Sequence, residues 1–151
     1  MLILGSVLAS RLSIFATAVA VLALVRLLWT QSLFGTEPLS IALQIAAAAF
    51  MLWARFTFGL RSFHAAANTT EGELVTRGPY AIVRNPIYAA VIAFTWTGIA
   101  VHFSLESALL GLLVAAAMLT RIHFEERFLR ERYREYGAYA ARVKRLVPFV
   151  F

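Results

Sequence analysis

Residues 86–121 read PIYAAVIAFTWTGIAVHFSLESALLGLLVAAAMLTR. No Asp, Glu, Lys or Arg occurs from Pro86 to Leu105, and after Glu106 the next charge is Arg121. A helix needs about 20 mostly apolar residues to cross a bilayer. The stretch therefore reads as two antiparallel spans, Pro86–Leu105 and a helix from Ser107, joined by a short turn around His102–Glu106. Working outward, two more apolar runs precede it, Leu12–Leu33, interrupted by Arg26, and Pro38–Leu60, with Arg55 near its end. The first run is too long for the apolar part of a signal peptide and has no clear small-residue cleavage site after it. The predicted fold is all-α, a membrane bundle of about four spans with a helical extension at its C-terminal end. It is a single domain over 1–151, with a helix pair in 1–60 and a catalytic part in 74–148.

Composition agrees. Of the 151 residues 61% are hydrophobic and 15% charged, against about 25% charged in an average soluble domain. The chain has no cysteine, which excludes disulfides, a thiolate nucleophile and Cys-based metal sites. It has three isolated histidines and no aspartate, so no metal is expected. The net charge of +6 would point to nucleic acid in a soluble protein. In a chain this apolar it marks a cytoplasmic face, and no nucleic-acid partner is expected. With four spans and the N-terminus inside, every Lys and Arg except Arg26 falls on the inner side, and the outer turns Gln31–Pro38 and His102–Glu106 carry none. The expected protein is multi-pass, in a bacterial inner membrane, with both termini cytoplasmic. Arg26 is read as snorkelling beside Trp29 at the outer interface, with Trp53 and Arg55 as an inner anchor. Ala46–Ala49 and Ala115–Ala117 are read as small residues for helix packing.

The informative segments face the basic side. The loop from Arg61 to Arg84 runs into Asn85-Pro86, where Asn85 suits an N-cap and Pro86 the first helical position. A helix N-terminus beside Arg84 favours an anion, although Asn-Pro also serves merely to start a helix. From Ser107 to Tyr136 no proline intervenes, giving a helix of 30 residues, about 45 Å, with Gly137 as its C-cap. Arg121–Glu125, Glu126–Arg130 and Arg127–Glu131 are pairs at i,i+4. Glu125 and Glu126 lie where that helix leaves the bilayer, beside Phe124 and Phe128, and partly desolvated carboxylates need partners. Tyr139, Val143, Leu146 and Val147 form one face of a short amphipathic helix, with Arg142, Lys144 and Arg145 opposite. His102 is read as an outer-interface residue and His64 as a loop residue; His123 lies two residues before Glu125, with no role assigned.

LVTRGPYAIVRNPIY (Leu74–Tyr88), EERFL (Glu125–Leu129) and YGAYAARVKRLVP (Tyr136–Pro148) occur in that order. This ordered set resembles the isoprenylcysteine carboxyl methyltransferase and phospholipid N-methyltransferase superfamily. The resemblance implies a membrane-embedded methyltransferase with S-adenosyl-L-methionine as cofactor and a lipophilic or lipidated substrate drawn from the inner leaflet. It assigns Arg84, Glu125 and Glu126 to catalysis. It assigns Val75, Thr76, Gly78, Tyr80, Asn85, Pro86, Tyr88, Glu125 and Glu126 to cofactor binding. Arg84 and the helix start suit the cofactor carboxylate, either Glu its ammonium or ribose, and Tyr80 and Tyr88 its adenine or sulfonium. The carboxyl methyltransferase branch carries His at the position of Asn85, so Asn85-Pro86 is closer to the phospholipid branch. The acceptor is left between a carboxylate and an amine, with O-methyl transfer marginally favoured. Two other readings are an NADPH-dependent membrane reductase of the sterol type and a non-catalytic membrane subunit. Trp96, at mid-depth, is either the wall of an acyl or prenyl groove or a packing residue.

Overall fold

The computed structural model describes residues 2–59 and 73–151, with side chains from residue 10 onward. Arg61 and His64 lie outside the described residues. The elements are α1 (Leu2–Trp29), α2 (Pro38–Phe58), a 3-10 turn (Gly78–Ala81), α3 (Pro86–Val101), α4 (Leu105–Arg132) and α5 (Tyr136–Arg142). No strand occurs among the described residues; a single bridge pairs Val83 with Lys144.

Three of the helices contain segments long and apolar enough to cross a membrane: Ser10–Trp29, Pro38–Phe58 and Leu105–Arg132. The third expected span is shorter than its sequence implied. It stops at Val101, because the chain leaves helical geometry at His102 (φ −115°, ψ 50°). Its 16 residues make about 24 Å, less than the ~30 Å of a hydrocarbon core. The fourth begins at Leu105, not Ser107, because Ser104 and Ser107 cap it reciprocally. The Ser107 amide donates to Ser104 Oγ (3.0 Å) and the Ser104 amide to Ser107 Oγ (2.9 Å). It ends at Arg132, as Tyr133 turns extended (φ −112°, ψ 116°). Gly137 is therefore no C-cap; it lies inside α5. The expected amphipathic helix is this one, starting at Tyr136 and ending at Arg142, with Val143 already extended.

Spatial order differs from chain order. α1 packs on α4, α4 on α3, and α3 on α2. The α1–α4 seam is Ala16, Ala20 and Ala23 against Val114, Ala117 and Met118. Small residues at i, i+4 and i+7 let two backbones approach, which is how helices associate where burial from water supplies no force. Ala117 belongs to this seam, whereas Ala46 and Ala49 face outward. Trp96 and Ile99 of α3 lie over Gly111 of α4, so Trp96 is a packing residue. Large side chains such as Phe15, Leu22, Ile45, Phe56 and Leu112 remain exposed around the bundle, as a lipid-facing surface requires.

The end of the bundle opposite the basic one is clasped by polar groups. Gln44 Nε2 donates to the carbonyls of Leu33 (2.8 Å) and Phe94 (3.0 Å), and its Oε1 accepts from the Gly35 amide (2.9 Å). Arg26 bridges from α1 to Glu106 of α4 (2.7 Å), each side chain 52% exposed. The expected snorkelling arginine thus has a carboxylate partner. The turn lies so close to α3 that a Cβ on Gly98 would run into the Leu33 carbonyl. Gly98→Ala is expected to destabilise the protein by about 1–3 kcal/mol, read as a lowered midpoint of thermal unfolding in detergent. An unchanged midpoint would show that the turn yields.

Candidate active site

The basic end holds two charge networks and a cleft. The first network is built where α3 begins. Arg84 Nε donates to Glu126 Oε1 (3.1 Å), and the side chains are 9% and 4% exposed. Arg84 Nη1 donates to the carbonyls of Ala140 and Val143, both at 2.7 Å. It therefore caps the C-terminal end of α5, where carbonyls lack helical partners. Glu126 also accepts from Asn85 Nδ2 (2.9 Å) and from Arg145 Nη2 (3.0 Å). Two backbone bonds stitch the same place together, the Arg84 amide to the Lys144 carbonyl (2.8 Å) and the Asn85 amide to the Arg145 carbonyl (3.1 Å). Asn85 thus makes no side-chain N-cap bond to α3; its amide group is turned to Glu126. Pro86 is buried at the first position of α3.

The second network lies one helix face away. Tyr88 donates to Glu125 Oε1, and Arg121 donates to Glu125 Oε1 (3.1 Å), to the Tyr88 hydroxyl (3.0 Å) and to Thr17 Oγ1 of α1. The Glu125 side chain is 27% exposed. The adjacent acids thus serve different neighbourhoods. Glu126 is enclosed among three cationic or amide donors, while Glu125 is held by a phenol and one guanidinium and stays reachable.

The cleft, about 530 Å³ counting the part open to solvent, is bounded by Phe58, Val75, Tyr80, Arg84, Leu129, Tyr133, Tyr136 and Tyr139, with Glu73 at its edge. It lies between the end of α2, the segment before the 3-10 turn, the end of α4 and α5. Gly78 (φ 60°) adopts the left-handed conformation that lets the chain turn against Thr57. The Tyr139 hydroxyl donates to the Tyr80 carbonyl (2.6 Å), fixing α5 over the turn. Burial, then Glu125, raises the Tyr80 phenol, and burial, then Tyr136, raises Tyr139. Burial, then Glu126, pushes Tyr136 up to about 12. All three stay neutral at physiological pH, so they offer rings and O–H groups and no charge. The Tyr136 hydroxyl is enclosed and meets no hydrogen-bond partner among the described residues.

Of the residues singled out in the sequence, Val75, Tyr80 and Arg84 border the cleft. Arg84, Asn85 and Glu126 meet in one network and Tyr88 and Glu125 in the other. Thr76 is exposed and borders no described part of the cleft. His123 is exposed, with its ring edge-on to Phe124. Sequence reasoning missed Phe58, Tyr133 and Thr17 as members of the site. Tyr133, Tyr136 and Tyr139 at three-residue spacing were the available signal. A lone Thr within an apolar helix gave almost none. Arg130 lies over the Tyr136 ring (5.4 Å), where a pair with Glu126 was expected.

A family model described as phospholipid methyltransferase matches residues 38–136. No curated protein and no solved structure matches the chain. The match covers more than half of the chain: the protein belongs to the phospholipid methyltransferase family, and with it to the membrane methyltransferases. The match begins at the first residue of α2, well before the motifs starting at Leu74, so α2 belongs to the family unit.

Proposed function

We propose that the chain is an S-adenosylmethionine-dependent methyltransferase whose cofactor occupies the tyrosine-lined cleft and whose acceptor is a lipophilic amine arriving beside Glu125. The observation that carries the reading is the cleft itself. It gathers four tyrosines and Phe58 at the end of the bundle where both acidic motif residues lie. Aromatic faces suit a sulfonium and an adenine. When bound, the cofactor supplies an electrophilic methyl group for in-line displacement.

The residues of the chain supply position and dryness. Arg84 and Arg145 share the single carboxylate of Glu126, and the three hold α5 across the mouth of the cleft. They act as positioning residues. This reading moves Arg84 away from the cofactor carboxylate, since its donors are already spent on Glu126 and on α5. Tyr88 and Arg121 hold Glu125 in one orientation. An ammonium acceptor must lose a proton before attack, and Glu125 is the reachable carboxylate to take it. A carboxylate acceptor needs no base and would meet Glu125 as a like charge, so an amine is favoured over the O-methyl alternative. The topology that fits places the basic end and both termini in the cytoplasm.

Side-by-side titration of detergent-purified protein with S-adenosylmethionine, S-adenosylhomocysteine and NADPH tests the cofactor. The first two are expected to bind, and Tyr133→Ala to weaken S-adenosylmethionine by about tenfold, the effect of removing one desolvated cation–π face, and the neutral-sulfur S-adenosylhomocysteine by less. Binding of NADPH alone would overturn the reading.

A further inference from the structure

Beyond α5 the chain forms a built turn. The amides of Leu146 and Val147 both donate to the Phe151 carbonyl at 2.7 Å, and those of Val150 (3.2 Å) and Phe151 (3.1 Å) return to the Val147 carbonyl. Arg145 lies over the Phe151 ring at 5.4 Å. The turn nevertheless presents its apolar side chains outward: Phe149 is 95% exposed, Val150 75% and Val147 49%. Its depth is set by the bonds from Arg84 and Asn85 to residues 144 and 145, which tie it to the two residues that precede α3. Arg142 and Lys144, exposed, stand immediately before it.

We propose that this turn is a membrane-surface hook: Phe149 and Val150 insert between the lipids of the leaflet at the basic end, and Arg142 and Lys144 engage anionic headgroups there. The occupant is identified by depth and charge together. A hydrogen-bonded apolar turn held level with the start of an apolar helix meets the interfacial zone, and two nearby cations are attracted to an anionic surface there. Because the same segment bonds to Arg84 and Asn85, the hook fixes the covering of the cleft against the bilayer. It concerns the lipid surface and stands whichever cofactor the cleft takes.

The absence of cysteine makes the test clean. Phe149→Cys and, separately, Arg134→Cys in the full chain are spin-labelled in nanodiscs of phosphatidylcholine with added phosphatidylglycerol. The label at 149 is expected to be relaxed more by oxygen than by a water-soluble nickel chelate, and the label at 134 the reverse. Adding Arg142→Glu and Lys144→Glu is expected to shift the label at 149 toward the nickel pattern. Nickel-dominated relaxation at 149, indifference to the charge reversals, or mutual broadening of labels on two copies in one disc would each overturn the proposal, the last by making a second chain the occupant.

Discussion

Replacing Glu126 by Ala is expected to cost about 3–5 kcal/mol of stability, the usual consequence of deleting one partner of a buried ion pair and leaving the other charge enclosed. The stranded group would be Arg84, whose side chain is 9% exposed. Four other groups would lose their acceptor or have their donor disturbed: the Asn85 amide, the Arg145 guanidinium and, through Arg84, the capped carbonyls of Ala140 and Val143. The damage should spread to α5 and so to the cleft, because α5 is held over the turn by these bonds and the Tyr139–Tyr80 bond. Thermal unfolding in detergent reads the first effect and cofactor titration the second. Arg127→Ala is the control. Its pair with Glu131 is exposed at both ends, and its loss should leave the midpoint within experimental scatter. Equal midpoints for the Glu126 and Arg127 variants would show that the enclosed network contributes no stability.

Glu125→Gln is expected to behave in the opposite way. Gln can still accept from the Tyr88 hydroxyl and from Arg121 through its carbonyl oxygen, so both keep an acceptor, although Arg121, 10% exposed, loses its counter-charge. The thermal midpoint should fall less than in the Glu126 variant, and cofactor affinity should remain close to that of the parent. Turnover of an amine acceptor should fall by about 10²-fold or more, the range attributed to a general base. A radiolabelled-methyl assay with aminophospholipids, prenylcysteine analogues and soluble amines in parallel measures it. The acid limb of the kcat/KM profile should disappear in the variant. If the limb persists, the proton goes elsewhere. If a prenylcysteine carboxylate is turned over and no amine is, the acceptor assignment fails while the cofactor assignment stands.

The pairing of the two motifs was readable from the chain alone. Asn85-Pro86 begins a descending span and Glu125-Glu126 ends the returning one, so both reach the same surface; the Arg84–Glu126 and Tyr88–Glu125 bonds follow from that hairpin. What was not readable is which acid faces which partner. Consecutive residues on a helix point about 100° apart, and only packing decides which face meets Arg84 and which meets α1. Helix ends were misread for a similar reason. Gly137 carries a strong local stop signal, yet burial of Tyr136 and Tyr139 starts a new helix around it and breaks α4 at Tyr133 instead, where no Gly or Pro marks the place. Tertiary burial overrode local propensity. Trp96 was legible only as large and apolar. That it rests on Gly111 depends on the register between α3 and α4, which no periodicity reveals.

The interleaved helix order has a consequence for biogenesis. The last residue of α1 leaves the ribosome about a hundred residues before the last residue of α4, on the order of 5–20 s at ordinary elongation rates. Throughout that interval the alanine seam of α1 lacks its α4 partner, and Arg26 has not yet met Glu106. The newborn helix must therefore persist on its own hydrophobicity alone. The bundle closes when α4 docks against α1, and with that single event Arg121 reaches Thr17 and the Glu125 network is assembled. A chain in which α4 has not yet docked lacks this network, and methyl transfer is expected only after that step.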